Sequence, residues 1–306
     1  MNQPDGGGKI PARPLQAKPA LLGMACGAGA ALCWALGFVA TRHGLKIGFT
    51  PPDLLMHRFL WSGMAFLPLV LRAGVSDLGG IGWSRGLVLM VLGGPVMSLI
   101  SYTGFLFVPL GHGSVIQPSS ATLGGLLLAA VFLRERVPPS RVAGAVVIVG
   151  GLAVIGAESI GHIGAHGVLG DLLFVATGLM FAVFGTLLRH WRVNAFSAAT
   201  VISVLSLALL PVYVIFVGFA RVASLGFSEN VLQALAQGIL AGPAALYLFA
   251  FSIQAMGVAR AAVFPATVPA LTILSGWLLL GEAPTALQAA GLMAVLFGFY
   301  LAQRQR

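Results

Sequence analysis

Apolar runs separated by short stretches rich in glycine, proline and arginine follow one another along almost the whole chain. Cutting at charges, prolines and glycines leaves segments near 21–40, 54–71, 86–108, 114–133, 142–157, 168–188, 199–219, 231–252, 261–280 and 286–302. Crossing a hydrocarbon layer of ~30 Å takes about 20 helical residues at ~1.5 Å each; most of these segments reach that length, and only the fifth falls short. The pattern predicts an all-α membrane protein with ten transmembrane helices.

The same pattern occurs twice. At an offset of 147 positions Gly23 falls on Gly170, Arg42-His43 on Arg189-His190, Phe49 on Phe196, Pro118 on Pro265, Glu135 on Glu282, Gly144 on Gly291 and Gly151 on Gly298. Gly94-Pro95 meets Gly242-Pro243 when the offset slips by one, as a single inserted loop residue would make it do. Five spans per half is an odd number, so the second half enters from the opposite side. The expectation is two inverted five-helix repeats, over 21–157 and 168–302, related by an axis in the membrane plane.

Composition agrees: 58% of residues are hydrophobic, 8% are charged and mean hydropathy is +0.97, whereas soluble domains carry roughly a quarter charged residues. The formal net charge of +9 sits in connectors between apolar runs, where it signals topology and not nucleic acid. With the N-terminus inside, the inner segments hold 13 Lys and Arg and the outer ones three, Arg42, Lys46 and Arg221. Basic connectors stay in the cytoplasm, which predicts a multi-pass protein of the inner (plasma) membrane with both termini cytoplasmic. Residues 1–20, rich in Gly, Pro and Ala with Lys9, Arg13 and Lys18, read as a disordered cytoplasmic tail. The following run is too long for the ~7–15-residue core of a signal peptide. Cys26 and Cys33, seven apart in one span, form neither a disulfide framework nor a CxxC site.

Trp34-Ala-Leu-Gly-Phe-Val-Ala-Thr-Arg42, and Pro51-Pro52 followed by Arg58-Phe59, resemble the first- and second-helix motifs of the EamA-like family of the drug/metabolite transporter superfamily. Pro118, Glu135, Gly144 and Gly151, repeated as Pro265, Glu282, Gly291 and Gly298, resemble the duplicated domain over residues 20–302. The resemblance implies ten helices, cytoplasmic termini and transport of small metabolites, often export of amino acids or related compounds. The halves differ chemically: Phe181 stands where the first half has Trp34, and Leu205 where it has Arg58.

The candidate site follows from polar and aromatic residues inside spans. Arg58 is the one Lys or Arg within a span; it either snorkels to the surface or attracts a substrate carboxylate. The run Ser114 to Thr122 is polar, and Gln117, Ser120 and Gly124 share a face. Either they line a cavity or their hydroxyls bond their own helix and glue helices together. Pro118 and Pro265 remove backbone donors, so breaks and hinges are expected there. Trp34, Phe38, Tyr102, Tyr247 and Phe264 come from helices that the resemblance places around a central cavity; with Thr267 they complete the expected substrate contacts. Glu135 and Glu282 read as caps of the connectors that follow, or as groups for gating or proton coupling, and Asp171 as a helix cap. His162 and His166 lie in a loop too glycine-rich for a helical metal pair, and His112 reads as solvated.

No catalytic or metal constellation and no cofactor motif emerges. The leading reading is a secondary transporter working by alternating access and exporting small metabolites such as amino acids, as monomer or homodimer. Its partners are a small-molecule substrate and the lipid bilayer. The alternative is a membrane-embedded enzyme or lipid-handling protein using the same cavity.

Overall fold

The computed structural model describes residues 17–303 apart from 133, 135, 136 and 262. Ten helices among them are long and apolar enough to cross a membrane: α1 Leu21–Ile47, α2 Pro51–Ala73, α3 Trp83–Gly104, α4 Leu110–Val131, α5 Pro139–Gly161, α6 Ala165–Trp191, α7 Ala195–Phe216, α8 Phe227–Met256, α9 Val263–Leu280 and α10 Ala286–Gln303. No strand occurs among the described residues. Two expectations change. The helix carrying α1 begins at Ala17, so residues 17–20 belong to it and not to a tail; the rest of that proposed tail lies outside the described residues. The fifth span is 23 residues long, because Pro139 opens it at a position where a missing N–H costs nothing and the helix runs on through Arg141.

Large apolar side chains cover the outside of the bundle. Leu127, Val131, Val146, Ile215 and Leu278 are each more than three-fifths exposed, a surface that suits lipid and not water. Inside, Phe105 and Phe174 pack edge to face with centroids 4.7 Å apart, in a core that draws on α1, the connector after α3, and α4, α5, α6, α9 and α10.

The two halves meet through reciprocal contacts. Antiparallel α5 and α10 approach so closely that a methyl group on Gly144 would sit 2.8 Å from Ala302 Cβ, and one on Gly291 would sit 2.4 Å from Ile155 Cγ1. An offset of 147 turns one contact into the other. It likewise exchanges Gly151 against Val295 for Gly298 against Ile148. Elsewhere Gly37 of α1 packs on Ala241 of α8, while its counterpart Phe184 of α6 packs on Gly93 of α3. Contacts that swap in this way are what a two-fold axis between inverted repeats produces.

Breaks in the helices fall on glycine–proline pairs. Gly94, at φ −119°, ψ −133°, divides α3, and Gly242, at φ −100°, ψ −107°, interrupts α8 at the matching point of the second half. A residue before proline is pushed out of the helical region, and glycine meets that demand without strain. The breaks expected at Pro118 and Pro265 are absent. Helix α4 runs unbroken through Pro118, and Pro265 lies in the first turn of α9, where helices tolerate proline.

Candidate functional site

One end of the bundle carries the connectors 48–50, 105–109, 162–164, 217–226 and 281–285. There polar side chains bind the halves together. Glu282, just beyond α9, accepts hydrogen bonds from Arg42 Nε at 2.9 Å and the Leu110 N–H at 3.3 Å, and its Oε1 lies 2.6 Å from Lys46 Nζ. Arg42 Nη1 also donates to the Phe105 carbonyl at 2.6 Å. Burial pushes the Glu282 carboxyl up, but Lys46, Arg42 and the Leu110 N–H outweigh it and hold the group below its ordinary 4.5. On the far side His43 pairs with Glu229 at 2.9 Å and His57 with Asn230 at 3.0 Å. Buried Asp53 accepts from Thr50 and from Tyr213, tying α2 to α7.

Below this clasp lies a buried amide cluster. Gln237 of α8 donates to the Gly37 carbonyl at 3.0 Å and to Thr41 Oγ1 at 2.6 Å, and accepts from Tyr102 at 3.2 Å. One turn earlier Gln233 donates to the Ala40 carbonyl at 2.9 Å. Arg58 Nη1 reaches the Gln237 carbonyl at 3.4 Å and lies beside Tyr102. Helices α1, α2, α3 and α8 thus converge on one polar point in an apolar interior. Replacing Gln237 by leucine would leave the Tyr102 hydroxyl without its acceptor, so the variant is expected to lose about 1–3 kcal/mol, read from thermal unfolding in nanodiscs.

The structure brings some of the expected site residues together and scatters others. Arg58 and Tyr102 join the amide cluster. Gln117 is half-buried and accepts from Ser101 at 3.1 Å. Trp34 packs edge-on against Phe249 at 5.4 Å and Phe38 against Phe105 at 5.9 Å, both half-buried on α1. Ser120 and Gly124 instead press on Gly178, Leu179 and Ala182, so that face of α4 serves close packing against α6. Phe264 covers Gly27 at the α1–α9 contact, and Thr267 bonds its own helix at the Phe264 carbonyl. Tyr247 is 66% exposed and stands away from the cluster, since Ala245 and Ser252 occupy the buried side of α8.

Other corrections lie at the clasped end. His112 is fully buried, not solvated, and Asp171 bonds to it at 2.9 Å instead of capping a helix. Gln233 and Gln237 were missed, although two amides four residues apart in an apolar span mark a shared polar face. Glu135 lies outside the described residues.

Two cavities also occupy this end. One, of about 460 Å³, opens sideways between α2 and α8 past Trp61, His57, Phe219 and Phe227. The other, of about 400 Å³, is lined by Arg42, Leu110, Glu158, Glu282, Thr285 and Gln288.

Known proteins share this architecture. Residues 21–157 and 168–303 each match the EamA-like transporter family. A protein of Archaeoglobus fulgidus named "Uncharacterized transporter" is 26% identical over 278 residues, covering 89% of this chain and 95% of its own length. A solved structure titled "Crystal structure of protein" matches with a TM-score of 0.62 at 21% identity, over 94% of this chain and 96% of its own, which shows the fold.

Proposed function

Because the chain belongs to the EamA-like transporter family, with both repeats matched, we propose that this multi-pass membrane protein is a secondary transporter that moves small metabolites, amino acids among them, by alternating access. The observation that carries this reading is the reciprocal packing of the halves, Gly144 on Ala302 against Gly291 on Ile155. Halves related in that way have two arrangements of similar energy, one open to each side, and a solute need only prefer them differently to be carried across.

The conformation described is shut at its clasped end by Glu282 and its partners. Seven arginines, Arg72, Arg85, Arg134, Arg141, Arg189, Arg192 and Arg260, fall at the opposite end, which on the basic-connector rule faces the cytoplasm of a cell whose inner membrane holds the protein. A route through the bundle in this conformation would then open inward, and export is the direction we propose for it. Solute would sit beneath the amide cluster, against Trp34 and Phe38 of α1 and Gln117 of α4, with Arg58 as the charge that meets a carboxylate. Rings and an amide suit an amphipathic solute.

Flux in proteoliposomes, screened with radiolabelled amino acids, tests this. Wild-type protein is expected to move at least one of them in a saturable manner. A Trp34→Ala, Gln117→Ala double variant that inserts normally should move it at least about tenfold more slowly, as expected when an aromatic contact and a hydrogen bond are lost. Full-rate flux in that variant overturns the site assignment, and no saturable flux of any metabolite overturns the transport reading.

A further inference from the structure

Beside the clasp, three titratable side chains from α4, α5 and α6 meet in a largely buried site at the edge of the second cavity. His112 of α4 is fully buried, and Glu158 at the end of α5 nearly so. His112 Nδ1 lies 2.9 Å from Asp171 Oδ1 of α6, and Ser159 Oγ donates to Asp171 Oδ2 at 2.5 Å. On the other side Glu158 Oε2 accepts from Thr285 Oγ1 at 2.9 Å and Oε1 from Gln288 Nε2 at 3.1 Å. His112 Nε2 faces Glu158 Oε2 at 3.5 Å and has no hydrogen-bond partner.

Donors and acceptors in this cluster do not balance. An ionised carboxylate only accepts, so the ring nitrogen against Asp171 must carry hydrogen, and Nε2 of a neutral ring is then a lone pair. That lone pair points at a second carboxylate oxygen, in a place where water does not screen the repulsion. One proton between the two atoms, on either of them, turns repulsion into a hydrogen bond, a charge-assisted one when the ring holds the proton. We propose that the His112–Glu158 gap is a proton-binding site, filled from water in the adjoining 400 Å³ cavity that Glu158 lines.

The neighbouring charges are compatible with this. Arg42 and Glu282 line the same cavity, Lys46 reaches it through Glu282, and His166, five residues before Asp171, stacks on Phe107. The unprotonated cluster would carry two negative charges and a neutral ring, so one more proton relieves it. Among the described residues no group of three or more His, Cys, Asp or Glu has the geometry of a metal site. The cluster spans both halves: α4 and α5 of the first hold the gap, while Asp171, Thr285 and Gln288 of the second grip its two members. The site goes beyond the transport reading and stands without it.

Nanodisc-embedded full chain labelled with 15N-histidine provides the test. The protein has six histidines, and a His112→Gln spectrum assigns the signal of interest. At about pH 6, within the range where histidine charge is read, His112 is expected to show both ring nitrogens protonated. If the proton rests on the carboxyl instead, infrared spectra show a protonated carboxylic band that is missing from Glu158→Gln. In Glu158→Gln the side-chain carbonyl can still accept from Thr285 or Gln288 and the amide can donate to Nε2, so His112 should become singly protonated at unchanged fold. A wild-type His112 with one protonated nitrogen and no such carboxyl band overturns the proposal, as does a doubly protonated His112 that persists unchanged in Glu158→Gln. If that variant does not fold, the wild-type spectra alone decide. The readout is protonation and not flux, so failure here leaves the transport reading standing, and an inert transporter with a filled gap leaves the proton site standing.

Discussion

Gly151→Ala is expected to destabilise the protein by about 1–3 kcal/mol, whereas Gly150→Ala, one residue away, should be neutral or stabilising by up to about 1 kcal/mol. The added methyl at Gly151 would lie 2.8 Å from Val295 Cγ2, 2.9 Å from the Gly291 carbonyl oxygen and 3.1 Å from the Val295 nitrogen. Two of those three are backbone atoms of α10, which cannot swing aside as a side chain can, so the helices must separate. At Gly150 nothing lies within 4 Å, and the same methyl only improves helix propensity. In lipid no hydrophobic force presses helices together, and close backbone approach is a large part of what holds them. Gly298→Ala would meet the Gly144 carbonyl oxygen at 2.8 Å and the Ile148 nitrogen at 3.0 Å. Its cost should therefore match that of Gly151→Ala. Thermal unfolding of the variants in one detergent measures all three; equal effects at 150 and 151, or a large inequality between 151 and 298, would contradict the reciprocal packing.

The repeat behind that packing was legible in the sequence and much of the site was not, for a physical reason. Spans and repeat depend on local properties, such as a run of apolar residues or a glycine that recurs at a fixed offset, and these survive without knowledge of partners. The glycines at 144, 151, 291 and 298 stood out for that reason. Backbone breaks were harder to place: Pro118 and Pro265 drew attention as prolines, but a helix fails where glycine precedes proline, and Gly94-Pro95 and Gly242-Pro243 had been visible only as a repeat. The polar clusters join residues as far apart as Tyr102 and Gln237, or Arg42 and Glu282, and nothing local records which distant side chain completes a hydrogen bond. His112 shows this most clearly. Its neighbours in the chain made it look like a turn residue in water, while its true surroundings come from α5 and α6. Aromatic residues misled in the opposite sense, since Tyr247 has the composition of a cavity wall and stands exposed on α8.

Glu282→Gln should loosen the clasped end and abolish part of the protein's sensitivity to acid. Arg42 and Glu282 are each about four-fifths buried as side chains, so losing the carboxylate leaves the guanidinium its bond to the Phe105 carbonyl and a neutral amide oxygen where a charge had been. Removing one partner of a fully buried pair costs about 3–5 kcal/mol; residual exposure here, and the water that reaches half-exposed Lys46, bring the expectation down to about 1–3 kcal/mol. The sign of the pH effect follows from the depressed value of Glu282. A carboxylate held below its ordinary 4.5 contributes stability that is fully present above that value and disappears as pH falls through the lower, folded-state one. Wild-type protein should thus lose stability on acidification below about pH 4.5, and the glutamine variant should lose less over the same interval. On the proposed transport cycle, the clasp would also set how often this end opens. In a background with Cys26 and Cys33 replaced by serine, a cysteine at buried Leu110, whose N–H is one of the clasp's donors, reports each opening through labelling by a membrane-impermeant thiol reagent. Each 1.4 kcal/mol is a factor of ten in population, so Glu282→Gln should speed that labelling by about fivefold to a hundredfold. Labelling from the compartment at the arginine-rich end, or a rate unchanged by the substitution, would mean that Glu282 does not close this side.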